Sequence, residues 1–177
     1  MNNPVFIEGE RIILRSYKRA DAKYISEAAS NPKVYATTYN MPLNFTKLYA
    51  LRWIYSLEQN RRNGFGTEIG VFDKITGEYI GHCGINSISR ACSSGNLVYF
   101  IDEKFWNKGY AAEAAELMIK YGFEQLGLER ISGICMEHNT ASRRVMEKVG
   151  MKYEGCGISE IKKDGVPVNV LHFAKIK

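Results

Sequence analysis

The sequence lacks any apolar run long enough to cross a membrane and any dense basic cluster. Its 177 residues carry 24 Lys and Arg against 19 Asp and Glu, a formal net charge of only +5. The excess is spread along the chain in pairs such as Arg61-Arg62, which favours an anionic ligand but does not indicate a nucleic-acid surface. A GxxxxGK[ST] phosphate loop is absent, which argues against nucleotide binding of that kind. With no basic leader followed by an apolar run, we expect a soluble, cytoplasmic protein.

Cysteine is also scarce. The four cysteines are widely spaced and form no C-x-x-C pair; they are Cys83, Cys92, Cys135 and Cys156. This spacing suits neither a disulfide framework nor a zinc site. Three of the four lie among apolar, strand-like residues, so we predict buried thiols and no metal site.

The sequence does contain an ordered series of strand and helix patterns. The predicted order is one strand, two helices, three strands, a helix, a strand, a helix and two strands. With 45% hydrophobic residues and no repeat or linker, residues 1–177 should form a single domain with a sound core. The fold class is a mixed α/β (α+β) domain.

Several local signals give testable boundaries. Asp21 is predicted to cap a helix that stops at Asn31-Pro32. The next helix should bury one side, made of Leu48, Leu51, Tyr55 and Glu58. The segments KITG and Asp164-Gly165 predict hairpin turns. The aromatic connection at residues 34–46 reads as a loop, either a wall for a substrate or a packed cap on the core.

The stretch FWNKGYAAEAAELMIKYG, residues 105–122, places small residues where a loop becomes a helix. The first amides of a helix lack internal partners, and the helix dipole adds partial positive charge there. Gly109, Ala111 and Ala112 would let phosphate oxygens approach these amides, and Lys108 adds a cation. Taken alone, the same small residues indicate close packing on a sheet at least as well.

This stretch resembles the pyrophosphate loop of the GCN5-related N-acetyltransferases, Arg/Gln-x-x-Gly-x-Gly/Ala. Here Trp106 takes the first position, a departure from the superfamily, but FWNKGYAAEA is similar to the branch typified by ribosomal-protein alanine N-acetyltransferases. Further segments resemble that branch in the same order along nearly the whole chain: ERIILRSYKRADA, EYIGHCGI, LVYFIDEKFW and HNTASRRVMEKVGMKYEG. The resemblance implies a single-domain fold with a mixed, mostly antiparallel central sheet flanked by helices. It also implies a V-shaped opening between the fourth and fifth predicted strands.

The resemblance further implies how acetyl-CoA is bound. The pyrophosphate would be held by Lys108, Gly109, Tyr110, Ala111 and Ala112. Phe100 and Ile101 would present their backbone to the pantetheine arm. Asn139 would hydrogen-bond the pantetheine, although it can equally cap its own helix. Ser142 would lie near the thioester sulfur, or it is simply helix surface.

The implied reaction is direct transfer of the acetyl group from acetyl-CoA to a primary amine. The backbone N–H of Phe100 is the expected donor to the carbonyl oxygen. Many members place a tyrosine acid seven residues after the asparagine; here that position is Met146, so Ser142 is the predicted substitute, directly or through water. Glu68 is the leading candidate for a base acting through water, or else a charged residue at an exposed strand end. His82, in the next strand, either faces the cleft or makes a structural hydrogen bond.

The basicity of an amine limits whether this site could deprotonate it. Near neutral pH, deprotonating an N-terminal amine of pKa about 7.7–8.0 costs about 1 kcal/mol, against about 4–5 kcal/mol for a lysine amine. A site without a strong base therefore suits an α-amine, on a ribosomal-protein or other peptide N-terminus, or a small-molecule amine. A homodimer formed by pairing of the final strands is compatible with the sequence, whereas no nucleic-acid or membrane partner is expected. The alternative is a catalytically weak CoA-binding sensor or protein-interaction module; a nucleotide or nucleic-acid backbone at the anion site is a weaker one.

Overall fold

The computed structural model describes residues 4–177, so the first three residues of the predicted domain lie outside it. The strands are β1 (Phe6–Glu8), β2 (Ile12–Arg15), β3 (Thr67–Asp73), β4 (Tyr79–Ser89), β5 (Ser94–Ile101), β6 (Arg130–Met136), β7 (Lys152–Lys163) and β8 (Val166–Ile176). The helices are α1 (Ala22–Ala29), α2 (Pro32–Thr37), α3 (Lys47–Arg62), α4 (Tyr110–Glu124) and α5 (Thr140–Lys148). Short 3-10 turns precede α1 and follow β5.

All eight strands lie in one sheet, in the order β1-β2-β3-β4-β5-β6-β8-β7. Every neighbouring pair is antiparallel except β5 and β6, which are parallel. One core cluster packs α4 and α5 on one face of the sheet, and a second packs α1, α2 and α3 on the other. The predicted mixed, mostly antiparallel sheet flanked by helices is confirmed.

The sheet opens between β5 and β6. Their pairing runs only from Ser94↔Arg130 to Leu97↔Gly133. Beyond that point β6 continues along β8 as far as Met136↔Val170, while β5 continues along β4. Residues 98–101 of β5 therefore have no partner strand on the β6 side. This is the V-shaped opening that the resemblance implied between the fourth and fifth predicted strands.

The two predicted hairpin turns are confirmed. Gly77 has φ 73° in the turn between β3 and β4. Asp164 and Gly165 have φ 52° and 81° between β7 and β8, the backbone of a two-residue turn that suits Asp-Gly. The tip of this second hairpin reaches α2, where the hydroxyl of Tyr35 donates to the carboxylate of Asp164.

The N-terminal helices correct two predictions. Asp21 is the N-cap residue of α1, but its side chain makes no capping bond there; the residue is 5% exposed, and its carboxylate forms a two-pronged ion pair with Arg15 at 2.8 and 3.0 Å. The connection after α1 is not all loop, because α2 begins at Pro32. Asn31 caps α2 by accepting a hydrogen bond from the Lys33 amide at 2.9 Å, and proline is well tolerated in a first helical turn.

The predicted buried side of α3 is right only for Leu51, which packs against the second core cluster. Leu48 and Tyr55 are 60% and 68% exposed, whereas Ala50, Leu57 and Arg61 are buried. Arg61 pairs with Glu58 at 2.8 Å. Part of the buried face of α3 is therefore formed by a charged residue, which a pattern of apolar residues does not predict. The three-residue strand β1 was too short to be predicted at all.

The cysteines follow the prediction in part. Cys83 and Cys135 are buried, Cys156 is half-buried and Cys92 is exposed, and all four are free thiols. Among residues 4–177, none of the helices combines the length and the apolar character that a membrane crossing demands.

Candidate active site

The start of α4 presents bare backbone amides. Asn107 and Gly109 have φ 60° and 83°, on either side of Lys108, and Gly109 caps α4 without any side-chain bond. The first bond across this start joins the Glu113 amide to the Gly109 carbonyl at 3.2 Å. The amides of residues 110–112 therefore have no acceptor within the helix. Consecutive amides beside left-handed residues are a backbone arrangement that can bind an anion, and the predicted pyrophosphate contact stays a prediction.

Arg11 holds this loop and was not predicted from the sequence. Its guanidinium donates to the carboxylate of Glu113 at 2.9 Å and to the carbonyl of Lys108 at 2.9 Å. The Lys108 ammonium donates to the Lys104 carbonyl at 3.0 Å, so both cations lie at the rim of the loop. Nothing local in the sequence marks Arg11, which is 97 residues from Lys108.

Trp106 has a structural role at the position where the superfamily has Arg or Gln. Its indole N–H donates to the Ile101 carbonyl at 2.7 Å. This bond ties the loop to the end of β5 and fixes where α4 begins relative to the opening. A polar contact to phosphate at this position is thus replaced by a contact within the protein.

The hydrogen-bond ladder between β4 and β5 determines which β5 amides face the opening. The amide of Asp102 donates to the carbonyl of Ile80 at 2.9 Å. Hydrogen-bonded pairs alternate along an antiparallel ladder, so the next such pair is His82 with Phe100. The Phe100 amide therefore lies against β4.

This register corrects the expectation that the Phe100 amide faces the thioester. The backbone groups of Tyr99 and Ile101 are the ones that face the β6 side of β5. The Phe100 side chain instead points to the face of the sheet that carries α1, α2 and α3, where it is 7% exposed. Residue alternation along the strand sets these directions, and no sequence motif reveals them.

Asn139 joins the two sides of the cleft. Its side-chain oxygen accepts from the Ser142 amide at 3.0 Å, which confirms the predicted cap of α5. Its side-chain nitrogen donates to the Thr37 carbonyl at 3.1 Å, at the end of α2. The capping role is thus present without any ligand, and the predicted pantetheine contact stays a prediction.

Ser142 lies at the opening, with a partner that was not predicted. Its hydroxyl is 2.8 Å from the hydroxyl of Tyr99, whose single proton can go either to the Ser142 hydroxyl oxygen or to the Ser142 carbonyl at 3.1 Å. Burial raises the pKa of Tyr99, so its proton stays in place across the neutral range. Met146, in the usual tyrosine position, is buried at 1% exposure. The hydroxyls at this point of the cleft therefore come from Ser142 and Tyr99.

Glu68 is the end of a hydrogen-bonded chain in the cleft. Its side chain is 11% exposed and lies 3.2 Å from Nε2 of His82. The Nδ1 atom of His82 is 2.9 Å from the hydroxyl of Tyr17. With Glu68 as acceptor, Nε2 carries the proton and Nδ1 accepts from Tyr17; burial raises the pKa of Tyr17, which keeps that proton in place. Glu68 is not an exposed strand end, and His82 both faces the cleft and makes structural hydrogen bonds.

One cavity of about 460 Å³ connects these groups. It is lined by Gly109, Tyr110, Ala111 and Ala112 at the start of α4, by Asn139 and Ser142 on α5, and by Phe100, Ile101, Glu68 and His82 on the sheet. Of the predicted site residues, only Lys108 lies outside this lining, at the rim. The cavity therefore brings the predicted donor loop and the candidate acid and base to one place.

The far end of the cavity is aromatic. Tyr39 and Met41 from the connection after α2 line it together with Trp53 of α3. Phe45 also lines it but is 3% exposed and belongs to the core, so this connection is both a wall of the cavity and a packed cap. Burial raises the pKa of Tyr39, with a further contribution from the charge of Glu68.

Comparison with known proteins agrees with this geometry. Residues 11–152 match the family model described as an acetyltransferase (GNAT) domain. The uncharacterized N-acetyltransferase p20 of Bacillus licheniformis is 30% identical over 169 residues, covering 95% of this chain and 94% of that protein. Among solved structures, ribosomal-protein-S5-alanine acetyltransferase from Vibrio fischeri superposes with TM-score 0.87 at 22% identity, covering 97% and 96% of the two chains.

A second solved structure is similar in fold and contains coenzyme A. RimL, a ribosomal L7/L12 alpha-N-protein acetyltransferase in complex with coenzyme A, superposes with TM-score 0.90 at 15% identity, covering 97% of this chain and 98% of that chain. Likeness at this identity shows the fold. The splayed strands, the bare amides of α4 and the matched family domain together show that the chain belongs to the GNAT acetyltransferase family.

Proposed function

We propose that this protein transfers the acetyl group of acetyl-CoA to a primary amine by direct attack while both substrates are bound. The observation that carries the proposal is the single cavity that runs from the bare amides of residues 110–112, past Ser142, to Glu68. An anion site, a proton donor and a proton acceptor in one cleft are what amine acetylation by a thioester requires.

The donor end fits the chemistry of a pyrophosphate. Three amides without acceptors supply hydrogen bonds at the positive end of α4, and Arg11 and Lys108 supply charge at the rim. RimL, of the same fold, has been solved with coenzyme A bound. In this chain acetyl-CoA would supply the acetyl thioester, held by residues 108–112 and by the opening beside β5, with Asn139 as a further contact to the pantetheine.

The acceptor end supplies the base. The amine has to lose a proton before it attacks, and we assign that proton to Glu68, directly or through a water molecule. Its bond to His82 at 3.2 Å holds one carboxylate oxygen, and the Glu68 side chain lines the cleft. A single hydrogen-bonded carboxylate is a weak base, so α-amines, with pKa about 7.7–8.0, suit it better than lysine amines at about 10.4.

The opening supplies charge stabilisation and a proton. The backbone N–H of Tyr99 or Ile101, which face the β6 side of β5, would donate to the carbonyl oxygen as it gains charge. Ser142 would protonate the departing sulfur. Tyr99 would orient the Ser142 hydroxyl in the arrangement in which its single proton goes to the serine oxygen and not to the Ser142 carbonyl, because the serine proton is then directed elsewhere.

We propose a protein N-terminal amine or a small-molecule amine as the acceptor. We place the protein in the cytoplasm, because four unpaired thiols suit a reducing compartment. A homodimer through the exposed edge of β7 remains compatible with the sheet order, in which β7 is the last strand.

The test is release of free coenzyme A from acetyl-CoA, measured with a thiol reagent against a panel of amines and N-terminal peptides. We expect amine-dependent release and a rise in melting temperature with acetyl-CoA alone. The sensor alternative, suggested by Met146, predicts the rise in melting temperature with no release for any amine. The absence of both effects at millimolar acetyl-CoA would overturn the proposal.

A further inference from the structure

The acceptor end of the cavity has a distinctive composition, and we call it the acceptor pocket. It is lined by Tyr39, Met41, Phe45, Trp53, Glu68 and His82. The ring of Trp53 lies 4.8 Å from that of His82 and 5.6 Å from that of Phe45, centroid to centroid. These rings form a continuous aromatic wall beside a single carboxylate. Such a wall offers apolar surface to a substrate side chain and π faces to an ammonium group.

The charges around the cavity are unevenly placed. Its lining includes two cationic side chains, Arg144 and Lys148, and both lie on α5. The apolar residues of α5 belong to the core cluster on the opposite face of the sheet from α3. None of the six residues that define the acceptor pocket is a Lys or Arg, although Glu68 also lines a second cavity with Arg19, Arg52 and Arg61. A carboxylate bound within the acceptor pocket would therefore meet Glu68 and no cation among the residues that define that pocket.

We infer that the acceptor is a primary amine whose neighbouring group is neutral and apolar, and that free α-amino acids are rejected. This inference rests on the proposed acetyltransferase function and adds the charge class of its acceptor. In a free amino acid the carboxylate shares a carbon with the amine, so an amine presented to Glu68 brings a like charge to within a few ångströms. Repulsion at that range and an effective dielectric constant near 20 lowers kcat/KM at least about tenfold. An amide in place of the carboxylate removes the repulsion.

The experiment compares three matched acceptors in the thiol-release assay: L-phenylalaninamide, L-phenylalanine and phenethylamine. The rate constants are expressed per neutral amine, because a nearby carboxylate also changes the basicity of the amine. Phenethylamine controls for this, since it has no carboxylate and a strongly basic amine. We expect kcat/KM for phenylalaninamide and for phenethylamine to exceed that for phenylalanine at least tenfold.

A variant pair tests the electrostatic cause. Met41→Arg places a cation in the acceptor pocket, and Met41→Gln is the neutral control. We expect Met41→Arg to reduce the preference for phenylalaninamide over phenylalanine at least fivefold, and Met41→Gln to leave it unchanged. The KM for acetyl-CoA should change less than this preference in both variants, since Met41 lies on the connection after α2 and not among residues 108–112.

The outcomes distinguish a failure of this inference from a failure of the proposed function. If amines are acetylated but phenylalanine reacts as well as phenylalaninamide, the inference is wrong and the proposed function stands. Equal preferences in the Met41→Arg and Met41→Gln variants would likewise overturn the electrostatic account. If none of the amines is acetylated, the proposed function is wrong and the inference falls with it.

Discussion

The hydrogen bond between Tyr99 and Ser142 gives the sharpest test of the proposed proton donor. The change is Tyr99→Phe, which removes one hydroxyl and keeps the ring that packs against the core. The bond is 2.8 Å long and joins two neutral groups, so its net value is about 0.5–1.5 kcal/mol. At about 1.36 kcal/mol per tenfold change in rate, kcat should fall about two- to tenfold.

The assay is thiol release with saturating acceptor and varied acetyl-CoA. We expect kcat to fall while the KM for acetyl-CoA is unchanged, because the proposed pyrophosphate loop, residues 108–112, is untouched. Burial raises the pKa of Tyr99 above its ordinary value of about 10. The tyrosine therefore does not ionise below about pH 9, and the shape of the alkaline limb should be the same in the variant and the parent protein.

A double-mutant cycle separates orientation from a general effect on the fold. Ser142→Ala should lower kcat more than Tyr99→Phe does, and adding Tyr99→Phe to Ser142→Ala should cost nothing further. Tyr153→Phe, at a tyrosine that is 55% exposed on β7, is the matched control and should behave as the parent protein. Fully additive losses, or a normal kcat in Tyr99→Phe beside a large loss in Ser142→Ala, would refute the proposed orienting role.

Three further predictions address the loop, the fold and the sheet. Lys108→Glu should raise the KM for acetyl-CoA at least about tenfold by placing like charge beside the phosphates, whereas Lys120→Glu, at an exposed position within α4, should not; equal KM values would contradict the loop assignment. Asp21→Ala leaves the Arg15 charge uncompensated, which should cost about 3–5 kcal/mol and lower the melting temperature by about 6 °C or more; a drop under about 2 °C in thermal unfolding would refute this. A Cβ at Gly84 would lie 2.4 Å from a backbone atom of β3, so Gly84→Ala should destabilise the protein by about 1–3 kcal/mol and lower kcat. Full stability and activity in that variant would show that the backbones of β3 and β4 can move apart at this point and accommodate a Cβ, contrary to the prediction.

Local signals predicted those parts of the fold that local contacts determine. The cap of α5 by Asn139 involves a residue three positions away, and the turn at Asp164-Gly165 involves adjacent residues. Asp21 shows the limit of such signals. Its carboxylate is a good helix cap in isolation, but six residues upstream Arg15 offers a charged partner in a half-buried setting, and the ion pair takes precedence.

The site itself depends on long-range contacts that no single-sequence pattern contains. Tyr99 and Ser142 are 43 residues apart, and Arg11 lies 97 residues from the loop that it clamps. The motif resemblance pointed to the loop, Asn139 and Ser142 because those residues stand in recognisable spacing, and Gly109 to Ala112, Asn139 and Ser142 do line one cavity. It assigned the wrong β5 amide to the opening, since the direction of an amide follows from the register of the ladder and not from the residue type.

The chain has only two tryptophans, and the cavity places one at each end. The indole of Trp106 is hydrogen-bonded to the Ile101 carbonyl beside the proposed pyrophosphate loop, while Trp53 lies in the acceptor pocket against the ring of His82. Intrinsic fluorescence should therefore carry two separable signals, one quenched by the nucleotide substrate and the other by an aromatic amine. Replacing either indole with phenylalanine would leave a single emitter, so that the order in which the two substrates arrive could be followed by stopped flow without any added label.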